Sequence, residues 1–123
     1  MSDTELAAPE FVRVAAVKEL PPGRMRSCRI AGRDLVLCAT REGGGYEVFA
    51  LDNICTHALA RMSEGRLKGA RVMCPMHGAA FDVRDGSVCN GPATQPLITH
   101  RVRIVEGMIE VALNPSAPPQ PEL

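Results

Sequence analysis

Cys55-Thr56-His57 and, after sixteen intervening residues, Cys74-Pro75-Met76-His77-Gly78 are the stretches on which the reading of this chain turns. Each offers one thiol and one imidazole from a short loop, and two of the chain's three histidines fall inside them. Four nitrogen and sulfur donors from two loops can hold a metal centre, and a mixed set of two cysteines and two histidines narrows which one. Pro75 and Gly78 make the second stretch a rigid turn that needs close backbone approach. Three chemistries compete for the donors. Structural zinc accepts such a set tetrahedrally, but zinc fingers usually take a cysteine pair from one loop and a histidine pair from the other. A cysteine–histidine catalytic dyad uses one cysteine and leaves the second pair unexplained. A binuclear [2Fe–2S] centre, with two cysteines on one iron and two histidines on the other, suits two loops that each bring one of each. The plain alternative, four residues that ligate nothing, sits badly with the doubled arrangement.

Outward from these loops, residues from about 54 to 92 are rich in turn residues, while both flanks alternate like strands. The alternation predicts strands over 11–15, 25–30, 34–41, 46–52, 71–74, 80–83, 98–105 and 108–113, and a short helix over 16–20 stopped by Pro21-Pro22. Ala31-Gly32, Gly43-Gly44-Gly45, Asp85-Gly86 and Glu106-Gly107 read as hairpin turns. No stretch sustains a 3.6-residue period. The expectation is one all-β domain: a basal β part over about 10–53 and 93–113, and an inserted, loop-rich, site-bearing part over about 54–92. The tail 114–123, with four prolines in ten residues, is expected to be extended or disordered.

Composition excludes several classes of function. Lysine plus arginine and aspartate plus glutamate number 14 each, so no global field attracts nucleic acid or an anionic membrane. No aliphatic run approaches the length of a membrane span. The start, Met1-Ser2-Asp3-Thr4-Glu5, does not resemble a signal peptide, and a cytoplasmic location is expected. Five cysteines is an odd number, which argues against a secreted disulfide framework. Cys28 and Cys38 lie in alternating apolar stretches and read as core residues. Cys89, just past the second loop, is expected to be a packed thiol rather than part of the site, and none of these three is read as a ligand or a disulfide partner. His100, alone on an expected strand, reads as a surface or edge residue. Arg61, Arg66, Arg71 and Arg84 surround the loops in sequence and could steer an acidic partner, although scattered solvated charge explains them equally well.

The same residues carry a family resemblance. The two loops, Ala79-Ala80-Phe81-Asp82 after the second, Ser63-Glu64-Gly65 between them, Asp85-Gly86, Gly91-Pro92-Ala93 and Pro96-Leu97 together resemble a Rieske domain over about residues 10–113. Within that group the chain is most similar to the soluble ferredoxins of bacterial aromatic-ring dioxygenase systems. The resemblance implies an antiparallel β-sandwich or barrel base with an inserted cluster-binding subdomain, and one [2Fe–2S] cluster per chain. It implies that Cys55 and Cys74 hold the inner iron and His57 and His77 the outer one. It further implies a non-enzymatic, monomeric one-electron carrier with no catalytic residue of its own, moving electrons from an NAD(P)H-dependent reductase to a terminal oxygenase. Leu59, Met76 and Pro92 are expected to form an apolar docking rim around the imidazoles, and Gly78, Ala79 and Phe81 to pack around the cluster.

The departures are informative. Rieske proteins of respiratory complexes carry an additional cysteine in each loop, joined as a disulfide; Ala60 and Met76 stand at those positions here. The same proteins place hydroxyl donors where this chain has Ala79 and Phe81, so a low potential is expected. Two other readings remain at this point: a Rieske-like small subunit of an assimilatory nitrite reductase, and a zinc-stabilised binding module.

Overall fold

The computed structural model describes residues 10–76, 78–91, 93 and 95–121. Ten strands lie among them: β1 (Val12–Ala16), β2 (Met25–Ile30), β3 (Arg33–Thr40), β4 (Glu47–Asp52), β5 (Arg66–Lys68), β6 (Arg71–Met73), β7 (Ala80–Asp82), β8 (Val88–Asn90), β9 (Thr99–Val105) and β10 (Met108–Ala112). Two short 3₁₀ turns, Val17–Glu19 and Met62–Glu64, complete the elements. The all-β expectation holds. The predicted helix over 16–20 is the first of these turns, capped by the Glu19 carboxylate, which accepts the Ala16 N–H at 2.8 Å.

Local chemistry sets the hairpins. Ile30 pairs with Arg33 and Val105 with Met108, leaving two-residue turns at Ala31-Gly32 and Glu106-Gly107. Both residues of each turn have positive φ (50° and 83°, then 51° and 76°), the backbone that matches the right-handed twist of the flanking strands. Glycine in the second position relieves half of that strain.

The strands form two antiparallel sheets, a six-stranded one in the order β1-β10-β9-β4-β3-β2 and a four-stranded meander in the order β5-β6-β7-β8. β1 and β2 sit at opposite ends of the larger sheet, yet Ala15 from one and Ile30 from the other share a core with Leu35, Leu37, Ala50, Ile109 and Val111. A flat sheet six strands wide would hold its edges about 24 Å apart. The sheet is therefore curled into a barrel-like layer around that core.

β3 explains how the second sheet attaches. Residues Asp34 to Thr40 are all buried, so this strand has no solvent face. Leu35, Leu37 and Ala39 point into the barrel core, while Val36 and Cys38, on the opposite parity, join Leu51, Met62, Val72, Phe81, Val83 and Leu97 in a second core beneath the meander. Phe81 is its largest fully buried side chain. At about 25 cal/mol per Å² of apolar area removed from water, a phenyl ring in this position stabilises the attachment by about 2–3 kcal/mol.

Three expectations are corrected. β5 and β8 were not anticipated, because three-residue strands with a single strongly apolar residue carry too little alternation to be read. His100 is not a surface residue: its side chain is fully buried opposite Ala50, where partners from two other segments satisfy both ring nitrogens. Cys89 is exposed rather than packed, because β8 is the outer strand of the meander and Val88 turns inward instead. Over residues 114–121 the tail is without helix or strand, and it is held against β3. Arg33 donates to the Pro118 carbonyl at 2.7 Å, and the Gln120 amide both accepts from Asp34 N–H and donates to Asp34 C=O at 2.7 Å.

Candidate metal centre

The two cysteine–histidine loops emerge from the junction of the sheets, one between β4 and the second 3₁₀ turn, the other between β6 and β7. They close in the same way. Cys55 N–H donates to the Ala60 carbonyl at 2.9 Å, and Cys74 N–H donates to the Ala79 carbonyl at 2.7 Å, five residues on in each case. Equal closure presents both cysteines from the same corner of equivalent loops. Cys55 is near enough to act on the Cys74 thiol, and both residues are buried, 3% and 4% exposed. In the second loop, Met76 N–H donates to Cys74 Sγ at 3.4 Å. Gly78 turns that loop back with φ of +76°, a conformation in which a side chain is strained.

Burial pushes the Cys74 thiol up to about 11; the neighbouring Cys55 adds to this and the Met76 N–H opposes it. A buried Cys74 thiol raised that far stays protonated on its own. A bound metal ion deprotonates a coordinating thiol outright. The donor chemistry thus fits a thiolate-bound metal group.

His57 is exposed on the first loop, two residues beyond Cys55. Leu59 is 65% and Met76 48% exposed, so each loop carries a large apolar side chain to the surface. Ala79 and Phe81 are fully buried, with no polar side-chain atom to offer the sulfurs. His77 and Pro92 lie outside the described residues. Cys38 belongs to the same core as the two loop cysteines, but burial holds its thiol at about 12 and it lies on β3, not in a loop. Cys28 is likewise pushed up, to about 11, chiefly by burial.

Sequence reasoning missed the residue that anchors the first loop. Asn53 is fully buried just before it. Its side chain donates to Asp34 Oδ1 at 2.9 Å and to Ser63 Oγ at 3.0 Å, and accepts from Ser63 N–H at 2.7 Å. Its backbone carbonyl takes the Met62 N–H at 2.6 Å. One side chain therefore joins β3 to both ends of the loop. Arg61 adds a 3.1 Å contact to the other Asp34 oxygen, and the Thr56 hydroxyl ties the loop to the Gln95 carbonyl at 2.7 Å. No local pattern distinguishes Asn53 from a turn asparagine, because its partners lie ten and nineteen residues away.

The Rieske [2Fe-2S] domain family matches residues 10–105, which include both loops and all but the last strand. The chain belongs to the Rieske family. It is 38% identical over 95 residues to the ferredoxin component of the naphthalene 1,2-dioxygenase system of Pseudomonas aeruginosa, covering 77% of this chain and 88% of that one. Among solved structures it is similar to a chain in the complex of reduced oxygenase and oxidised ferredoxin of carbazole 1,9a-dioxygenase (35% identity, TM-score 0.74, 82% of this chain and all of that one). It is also similar to a protein described as an NADH-dependent nitrite reductase small subunit from Mycobacterium tuberculosis (25% identity, TM-score 0.75, 86% and 96% covered). Membership of the Rieske family implies a [2Fe–2S] cluster, which resolves the competition with zinc and with a catalytic dyad.

Proposed function

We propose that this Rieske protein is a ferredoxin, a one-electron carrier that takes electrons from an NAD(P)H-dependent reductase and delivers them to a terminal aromatic-ring dioxygenase. The observation that carries the reading is the pair of identically closed loops, which brings the Cys55 and Cys74 thiols together beneath an exposed apolar tip. In this reading Cys55 and Cys74 hold one iron and His57 and His77 the other. The cluster, when bound, supplies one reversible electron per chain. The protein's own contribution is to exclude water from the sulfur end through the buried Ala79 and Phe81, and to fix the thiols by the Asn53 anchor and the Met76 N–H. In this reading the exposed Leu59 and Met76 give the loops a small apolar surface suited to brief docking, which a shuttle requires. The chain acts as a monomer in the cytoplasm, with the cluster-binding part at about 54–92.

Similarity to a nitrite reductase small subunit supports a second reading, permanent residence in a larger enzyme. The higher identity to ferredoxin components favours the shuttle. Visible and EPR spectra of the purified protein before and after dithionite test the first point, with iron and sulfide analysis beside them. A red-brown monomer with two irons and two sulfides, bleached by one electron and colourless in Cys55→Ser or Cys74→Ser, is expected. A colourless wild type holding stoichiometric zinc overturns the assignment.

A further inference from the structure

The four arginines that flank the loops in sequence have different surroundings in the fold. Arg61 is bound to Asp34 at 3.1 Å and Arg84 to Asp82 at 2.7 Å. Arg66 and Arg71 instead stand on the meander together with Lys68. Arg66 pairs with Met73, Leu67 with Val72, and Lys68 with Arg71. Alternation sends Leu67 and Val72 inward to the core and leaves Arg66, Lys68, Arg71 and Met73 on the outer face. The three cations are exposed, and among the described residues none lies within ion-pair distance of a carboxylate.

They line a groove of about 780 Å³ that continues past Met73 and Gly78 to Asn90, with no acidic residue in its wall. Asp82, opposite Arg71 and within its electrostatic reach, is held at two points by Arg84, at 2.9 and 2.7 Å, and the Glu42 carboxylate stands at the Gly69 turn beyond the groove wall. Glu64 stands in the adjoining cleft, beside Arg66 and Cys74. The chain as a whole is neutral, with 14 residues of each sign, so this face is a local positive field on an uncharged molecule. The groove also touches both stems of the second loop: Met73 immediately precedes Cys74, and Gly78 immediately follows His77.

We propose that this groove is the seat of a redox partner protein that presents an acidic surface around its own electron entry or exit point. The inference rests on the electron-carrier reading and extends it to a face and a partner chemistry. Cations spread over adjacent strands, about 5–7 Å apart, match a broad row of carboxylates better than a single small anion. A partner seated on them lies against the second loop, and its approach is accelerated electrostatically in a way that salt removes.

The test uses the wild type and the triple variant Arg66→Glu, Lys68→Glu, Arg71→Glu, all exposed positions whose exchange leaves the cluster's visible spectrum unchanged. Dithionite-reduced protein is mixed in stopped flow with hexacyanoferrate(III), and separately with hexaammineruthenium(III); each acceptor ion takes one electron and the protein returns to its oxidised form. In the wild type the anionic acceptor reacts faster at low salt and slows as salt rises. In the variant its low-salt rate falls about tenfold and the salt dependence inverts, while the cationic acceptor gains. In parallel, amide shifts of isotope-labelled wild type with poly-L-glutamate map to Arg66, Lys68, Arg71 and Gly78. Unchanged acceptor rates in the variant, or shifts on another face, overturn the proposal. The shift map needs no electron transfer, so failure of the groove is distinguishable from failure of the carrier reading, which shows as a chain without a reducible centre.

Discussion

Among the described residues the hydrogen bonds to the loop sulfurs are few, and that governs the chemistry a single residue can alter. Met76 N–H is the donor found on Cys74 Sγ, at 3.4 Å. Ala79 and Phe81, both fully buried, contribute none. A cluster whose sulfurs receive few donors holds its added electron weakly, which places this protein at the low end of the Rieske range, about −150 mV. Restoring hydroxyls through Ala79→Ser with Phe81→Tyr stabilises the reduced state preferentially. At roughly 1–1.5 kcal/mol of differential stabilisation per donor, each adds about 40–65 mV on the one-electron scale. Protein-film voltammetry on the double variant should read an increase on the order of 100 mV. A wild-type potential above about +100 mV contradicts the low-potential assignment.

Between the 3₁₀ turn and β5, Gly65 shows how the meander depends on one missing side chain. Its φ of −91° lies outside the left-handed region, and what marks the position out is space. A Cβ added to it would run into the Met73 carbonyl of β6. Gly65 is therefore the point where β5 closes on the strand that leads into the second loop. Gly65→Ala forces β5 and β6 apart just before Cys74, and such overpacking costs about 1–3 kcal/mol. The expected outcome is a lower melting temperature, with loss of visible cluster absorbance coinciding with or preceding loss of the far-UV signal. A melt indistinguishable from wild type would mean that the meander relaxes around the methyl group.

Across the whole molecule, one buried polar chain joins segments that the sequence keeps far apart. Arg33 on β3 grips Asp52 on β4 at two points, 2.8 and 2.6 Å. Asp52 Oδ1 lies 2.8 Å from His100 Nε2 on β9, and His100 Nδ1 accepts the Asn114 N–H at 2.9 Å. That acceptor role places the imidazole proton on Nε2, facing the carboxylate. Burial alone would raise the Asp52 carboxyl; the hydrogen bonds from His100 and Arg33 outweigh it and hold the group below its ordinary range. A carboxyl lowered in the folded state contributes stability that is complete above its unfolded value and is lost only as pH falls through the lowered folded value. Asp52→Asn should accordingly cost about 2–3 kcal/mol, by the same amount at pH 6 and pH 8. Urea midpoints at the two pH values measure it. A cost that changes between them would assign the linkage to another group.

How much of this was written locally is clear from particular residues. The Cys55/His57 and Cys74/His77 spacing, the positive-φ turns at Ala31-Gly32 and Glu106-Gly107, and the apolar run of β3 are short-range features, set by side-chain chemistry and backbone sterics within a few residues. They determined the family, the all-β class and the two loops. The burial of His100, the role of Asn53, the exposure of Cys89 and the docking of Gln120 on Asp34 depend instead on partners ten to eighty-six residues away, or on which strand of the meander lies outermost. The same holds for the arginines. In the sequence, 61, 66, 71 and 84 are equivalent cations near the loops; only the pairing of β5 with β6, and the placing of carboxylates beside Arg61 and Arg84, leaves two of them with Lys68 on one face that makes no ion pair among the described residues. A charge's effect is decided by what lies within a few ångströms of it in space, and for these residues the fold alone supplies that neighbourhood.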